Sequence, residues 1–174
     1  MGTTVGTKNI RVPIATDTPD VVRDTTNMAN DVDAVFTGYE AGWTAYTPTL
    51  TAATTNPTLG TGGTAVGAYK RIGKTVIGRV RITLGTGFTV GAGTYYIGLP
   101  VTPTASLANL TALGAGSAGD IATNIRPYIA QYQIAGNVLM LQNPGLYTLL
   151  DHTGPTAAWA AGGYISATFS YETT

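Results

Sequence analysis

Thr18-Pro19-Asp20-Val21-Val22-Arg23-Asp24-Thr25-Thr26-Asn27-Met28-Ala29-Asn30-Asp31-Val32-Asp33-Ala34-Val35-Phe36-Thr37-Gly38-Tyr39 has a period unlike anything after it. Thr18, Val21, Thr25, Met28, Val32, Val35 and Tyr39 recur at alternating steps of three and four, which is a heptad seam. Val22, Ala29 and Phe36 widen the apolar stripe, and Asp20, Arg23, Asp24, Asn27, Asn30, Asp31 and Asp33 take the other faces. The spacing predicts an amphipathic helix over 18–39. Thr18 is expected as N-cap and Pro19 at the first helical position, with Asp20 at the positive end of the helix dipole and Gly38 as the stop. A helix this short is marginal alone in water, so its stripe needs a partner. Copies of the same helix are the expected partner, with Val21, Thr25, Met28, Val32, Val35 and Tyr39 as trimerisation residues. The rival arrangement folds the helix back on the rest of the chain as a cover. Thr18 and Thr25 weaken the seam, so the body is expected to supply much of the interface.

Upstream, residues 1–16 read as an extended arm, because Pro13 disfavours helix at Val12. Downstream, Glu40-Ala41-Gly42 reads as a hinge, and from Trp43 the period changes from helical to alternating. Trp43 to Thr51 is expected as a first strand, bent or at an edge because of Pro48. Val66–Ile72 and Lys74–Leu84 are expected as strands around Gly73. In the second, Val76, Gly78, Val80, Ile82 and Leu84 face one way and Thr75, Ile77, Arg79, Arg81 and Thr83 the other. Tyr95–Pro100 is a further strand, and 101–119 shows no usable period. Ile125–Ile134 and Asn137–Gln142 read as a hairpin turning at Ala135-Gly136-Asn137. Tyr164–Tyr171 closes the chain with Ile165, Ala167, Phe169 and Tyr171 on one face. The fold class read from the pattern is mainly β: a short N-terminal coiled-coil helix, then an antiparallel β-sandwich of jelly-roll type, with domains 1–42 and 43–174. The pattern leaves sandwich against barrel open. The heptad and the hinge, together with the resemblance given below, make the expected assembly homotrimeric.

Composition agrees with that division. The chain has 174 residues, of which 10% are charged and 44% apolar, with 23 glycines and no cysteine. Many short strands and tight turns fit this usage, and disulfides and thiolate metal sites are excluded. Net charge is zero but uneven. Residues 1–42 carry three basic residues (Lys8, Arg11, Arg23) against six acidic (Asp17, Asp20, Asp24, Asp31, Asp33, Glu40), a net −3. Residues 43–174 carry six basic against three acidic, a net +3. No signal-peptide pattern and no apolar run of spanning length is seen, so membrane insertion is not expected.

The order of parts resembles bacteriophage tail and fibre proteins, especially those of phages with actinobacterial hosts. The resemblance rests on Ile14-Ala15-Thr16-Asp17-Thr18-Pro19-Asp20-Val21-Val22-Arg23-Asp24 followed by Met28-Ala29-Asn30-Asp31-Val32-Asp33. In the body it rests on Trp43-x-x-Tyr46-Thr47-Pro48-Thr49-Leu50, on Gly67-Ala68-Tyr69-Lys70-Arg71-Ile72-Gly73-Lys74, on Leu99-Pro100, and on Trp159 with Gly163 to Glu172. It covers both ends and the middle, about two-thirds of the chain. The family lacks catalytic residues and implies a homotrimeric virion protein, assembled in the host cytoplasm. Residues 1–42 would attach it to other virion proteins of the tail or to the major capsid protein, and the sandwich would meet a host-surface glycan or protein. The chain departs from the family in having no long shaft. That keeps open a capsid decoration or head-fibre protein, and a monomeric carbohydrate-binding module is the rival from another class.

No enzyme, cofactor or metal site is expected. His152 is the only histidine, and no Gly-x-Ser-x-Gly elbow accompanies it. Asp120, Asp151 and Glu172 are too scattered for a glycosidase pair. The Gly-rich segments around 60–63, 85–87 and 91–93 lack a following helix and a Gly-Lys-Ser/Thr ending, so they read as turns. Lys70, Arg71, Lys74, Arg79 and Arg81 form a basic cluster, but zero net charge argues against nucleic acid. The candidate surface contacts are Arg79 and Arg81 with the aromatics Tyr128, Tyr132 and, first among them, Trp159. Tyr147 and Tyr164 are further aromatics expected to be exposed.

Overall fold

A computed structural model describes residues 3–5, 10–12, 20–119, 125–133, 138–154 and 159–174. The chain divides into two compact units, Met1–Gly42 and Trp43–Thr174.

In the first unit, β1 (Thr3–Val5) and β2 (Ile10–Val12) pair antiparallel, so the arm is a small ribbon where it is described. Helix α1 runs Val21–Glu40. Its N-cap is Asp20, whose carboxylate accepts a hydrogen bond from the Arg23 amide at 2.9 Å. The cap thus falls two residues later than the expected Thr18, and Thr18 and Pro19 lie outside the described residues. The helix also continues past Gly38. Ala41 closes it, its amide donating to the Thr37 carbonyl at 3.0 Å.

The second unit is one nine-stranded antiparallel sheet. Its strands are β3 (Thr44–Tyr46), β4 (Leu50–Ala52), β5 (Thr64–Ile72), β6 (Thr75–Thr83), β7 (Tyr95–Gly98), β8 (Ala112–Gly119), β9 (Ile125–Gln133), β10 (Val138–Gln142) and β11 (Tyr164–Glu172). Their order is β3-β5-β6-β11-β8-β9-β10-β7-β4. The two edges, β3 and β4, are consecutive in the chain and joined only by Thr47-Pro48-Thr49. Laid flat, nine strands would set the edges about 38 Å apart at the usual strand spacing. Four residues of chain reach at most about 14 Å. The sheet therefore curls until its edges come within that reach. This corrects the expected single strand over 43–51: Pro48, buried and without an amide hydrogen, splits it, and its halves lie on opposite edges.

The curl gives the sheet an inside. Val76, Val80, Ile82, Leu84, Ile165 and Phe169 line it from β6, β11 and the residue after β6, joined by Tyr95, Ile97, Tyr128, Tyr132, Leu139 and Leu141. The alternation read in 74–84 and 164–171 is the alternation observed. Hairpin β5–β6 turns on Gly73 and Lys74, with Gly73 at φ 60°, the left-handed geometry a two-residue turn needs at its first position. Strand β8 lies in the segment where no period was legible. The tip of hairpin β9–β10, expected at Ala135-Gly136-Asn137, lies outside the described residues. Residues 55–61 and 86–92 cross-bond at Thr55–Ala92, Thr58–Thr89 and Thr61–Thr86, an irregular ribbon with a bridge at every third residue.

Candidate functional site

Two surfaces qualify, one in each unit. On α1 the described side chains of the predicted seam are exposed. Val21 is 75% exposed, Met28 47%, Val32 37% and Tyr39 49%, and beside them Val22 is 77% and Phe36 57% exposed. Thr25 is exposed too, but its hydroxyl donates to the Val21 carbonyl at 2.6 Å. That bond satisfies the hydroxyl within the helix. The side chain of Val35 lies outside the described residues. The half-buried helix positions are polar: Asp24, Asn27 and Asp31. The described apolar side chains of the stripe are thus the more exposed ones.

The second surface is the outer face of β5, β6, β11 and β8. Arg79 and Arg81 project from it two residues apart, about 6–7 Å along β6. The Arg79 guanidinium lies 5.0 Å above the Trp43 ring, and that of Arg81 lies 4.2 Å above the Tyr164 ring. Both are cation–π contacts. The ladder sets small residues on either side. Arg81 stands between Val66 and Ser166, with Ser117 next in the row, and Arg79 stands between Ala68 and Thr168. Three adjoining hollows of about 270, 300 and 410 Å³ share Arg79 as a wall. Ser117 and Ser166 hydroxyls meet at 2.8 Å on the floor.

Among the described residues neither arginine has an ion pair. The outward-facing carboxylate of β11, Glu172, is four residues along from Thr168, about 13 Å of strand. Asp151 is half-buried in its loop and spends its carboxylate on the Thr153 amide and hydroxyl at 2.8 and 2.6 Å. Asp120 lies outside the described residues. Of the remaining cluster, Arg71 is a brace, its guanidinium donating to the carbonyls of Gly73 and Thr174 at 2.9 Å each.

Three expected contact residues are core residues instead. Trp159 is 6% exposed, Tyr128 6% and Tyr132 2%. The Trp159 indole N–H donates to the Asp151 carbonyl at 3.1 Å, and its ring lies 6.0 Å from that of Tyr95. Tyr128, Ala130 and Tyr132 face inward from β9. Their strict alternation with Ile129, Gln131 and Gln133 was the available signal. Trp43, which the sequence reading did not single out as a contact, is 48% exposed. Tyr147 is 80% exposed on the tip after β10, beside Leu146 at 71%. His152 is structural: its Nδ1 accepts from the Gly93 amide at 3.1 Å, tying two loops together. No group of three metal-ligating side chains occurs among the described residues, and none of their helices is long and apolar enough to cross a membrane. Comparison with protein-family models, with curated proteins and with solved structures finds no match.

Proposed function

We propose that this is a non-enzymatic phage virion protein, a homotrimeric tail fibre, tip or appendage. Residues 1–42 trimerise it and attach it to the particle, and the body, a jelly-roll-type sandwich in this reading, faces the host surface. The observation that carries the reading is the solvent-facing heptad stripe of α1. Val21, Val22, Met28, Val32, Phe36 and Tyr39 on one 20-residue helix are an unusual apolar exposure for a chain that ends its life as a monomer. Burial of such side chains contributes on the order of 1.5–3 kcal/mol each, and packing against two copies of the helix supplies it. The order of motifs shared with phage fibre proteins supports the virion setting. The acidic first unit and the basic second unit support separate roles for the two.

Light scattering of the full-length protein tests this. The expected mass is three times that of the chain, falling to one chain when Met28 and Val32 are both replaced by Asp. Monomeric wild-type protein would overturn the assembly and with it the fibre reading.

A further inference from the structure

We propose that the Arg79–Arg81 face of the curled sheet binds an acidic glycan, a chain of sugar rings that carry carboxylates. This deepens the surface-binding half of the reading above and names the ligand class of the head. Three observations converge on it. The first is charge: two arginines stand on one face two residues apart along β6, and neither has an ion pair among the described residues. Arginine presents a planar fork that matches a carboxylate bidentately, and Trp43 and Tyr164 hold the two forks from the side. The second is shape. Both arginines line a hollow of about 270 Å³ with Val66 and Ala68, and Arg79 also walls a hollow of about 300 Å³ beside Ser117, Ser166 and Thr168. That is near the low end of small-ligand pockets, a size suited to one or two sugar rings rather than a folded partner. The third is chemistry. Short hydroxyl side chains on the floor exchange hydrogen bonds with sugar hydroxyls, and Trp43, about half exposed, offers an aromatic surface to a ring's C–H face.

Other polyanions fit less well. Nucleic acid binding needs a longer track of cations and several stacking platforms, and the net charge of the chain is zero. An acidic peptide adds to a sheet edge through its backbone, whereas this surface is a sheet face four strands wide.

The two tryptophans make the test direct. Trp159 is buried, so a change in emission on titration reports Trp43. Full-length protein is titrated with a galacturonic acid hexamer, with maltohexaose as the neutral chain of rings, and with polyphosphate as an anion without rings. Calorimetry on the same samples gives affinity for the variants. The uronate is expected to saturate the Trp43 signal, and maltohexaose to leave it unchanged. Polyphosphate is expected to bind more weakly than the uronate. Replacing Arg79 and Arg81 together by Gln should weaken uronate binding at least about tenfold, as loss of charge-assisted bonds requires. S166E, which keeps both arginines but sets a carboxylate beside Arg81, should weaken it as well. No uronate binding, equal polyphosphate binding, or affinity unchanged in both variants would each overturn the proposal. So would a Trp43 that acrylamide cannot quench in the free protein, since another copy would then cover this face. The solution mass separates the two readings: a trimer without uronate binding removes the ligand alone, and a monomer that binds removes the trimer alone.

Discussion

The ring of Phe169 lies over Gly78, the residue directly opposite it in the β6–β11 ladder. A Cβ built on Gly78 would run into the Phe169 ring edge at Cε2 and Cζ. The glycine is therefore a fitted gap in the middle of the core, and the ring covers the backbone that a glycine leaves bare. Gly78→Ala is expected to lose about 1–3 kcal/mol despite alanine's lower chain entropy, because the added methyl overpacks against a buried ring. Urea unfolding measures it. Adding Phe169→Leu should recover part of the loss, a non-additivity that neighbours in contact show. An unchanged midpoint in the single variant would mean the ring moves aside freely.

Trp43 and Trp159 should behave as opposites. Trp159 is buried against Tyr95 and donates to a backbone carbonyl, so Trp159→Ala is expected to cost about 3–5 kcal/mol. Trp43 is about half exposed and its partner is the Arg79 guanidinium, so Trp43→Ala should cost less than about 1 kcal/mol. Thermal or urea unfolding of the two variants checks this, and the reverse order would return Trp159 to the surface.

How much of this was legible varies by element. β6 and β11 have large apolar side chains on one face and polar ones on the other, so period two is plain in their sequences. β8 reads Ala-Leu-Gly-Ala-Gly-Ser-Ala-Gly and has almost no contrast between its faces. Its residues are small because neighbours fill their space: a Cβ on Gly116 would sit 2.7 Å from Leu141 Cδ2. Trp159 misleads for a related reason. Its neighbours are Ala and Gly, a surface-like context, yet the indole folds back onto a tyrosine 64 positions earlier in the chain. The Arg79–Trp43 contact depends on the pairing of β3 with β5 and of β5 with β6. No local pattern encodes a juxtaposition across two ladders. The helix pattern is local, and a helix stands where the spacing put it, with both ends displaced: it is capped by Asp20 rather than Thr18 and runs past Gly38 to Glu40.

The cap itself is testable. Asp20 satisfies one of the four open amides of the first turn, and its charge favours the positive end of the helix dipole. Asp20→Ala should cost about 0.5–2 kcal/mol of helix stability, with Asp20→Ser recovering most of it. The expected readouts are faster amide exchange in the first turn of α1 and a lower melting temperature of the helix. Unfolding of the body on its own should not shift, because Asp20 belongs to the other unit. Unchanged exchange at Arg23 would show that the carboxylate does not cap.

Alkaline pH should destabilise the body through its buried phenols. Tyr95 is pushed from the usual 10.0 to about 12, first by burial and then by the charge of Asp151. Tyr171 is pushed to about 12 by burial, opposed by its hydrogen bonding with Val101 and reinforced by Tyr69. Burial raises Tyr46 and Tyr128 as well, and the Tyr46 hydroxyl has no hydrogen-bond partner among the described residues. In the folded state these groups hold their protons more tightly than in the unfolded state. Their contribution is therefore fully present below about pH 10, and it falls as pH rises from there through about 12, where the unfolded chain has already released its protons. Urea midpoints taken from about pH 9 to about pH 11.5 should decline, with phenolate absorbance showing late-titrating tyrosines. Tyr95→Phe removes one such group together with its 2.7 Å hydrogen bond to the Val90 carbonyl. That variant should be less stable at neutral pH yet lose stability less steeply above pH 10. A slope identical to wild type would show that Tyr95 ionises as freely in the folded chain as in the unfolded one.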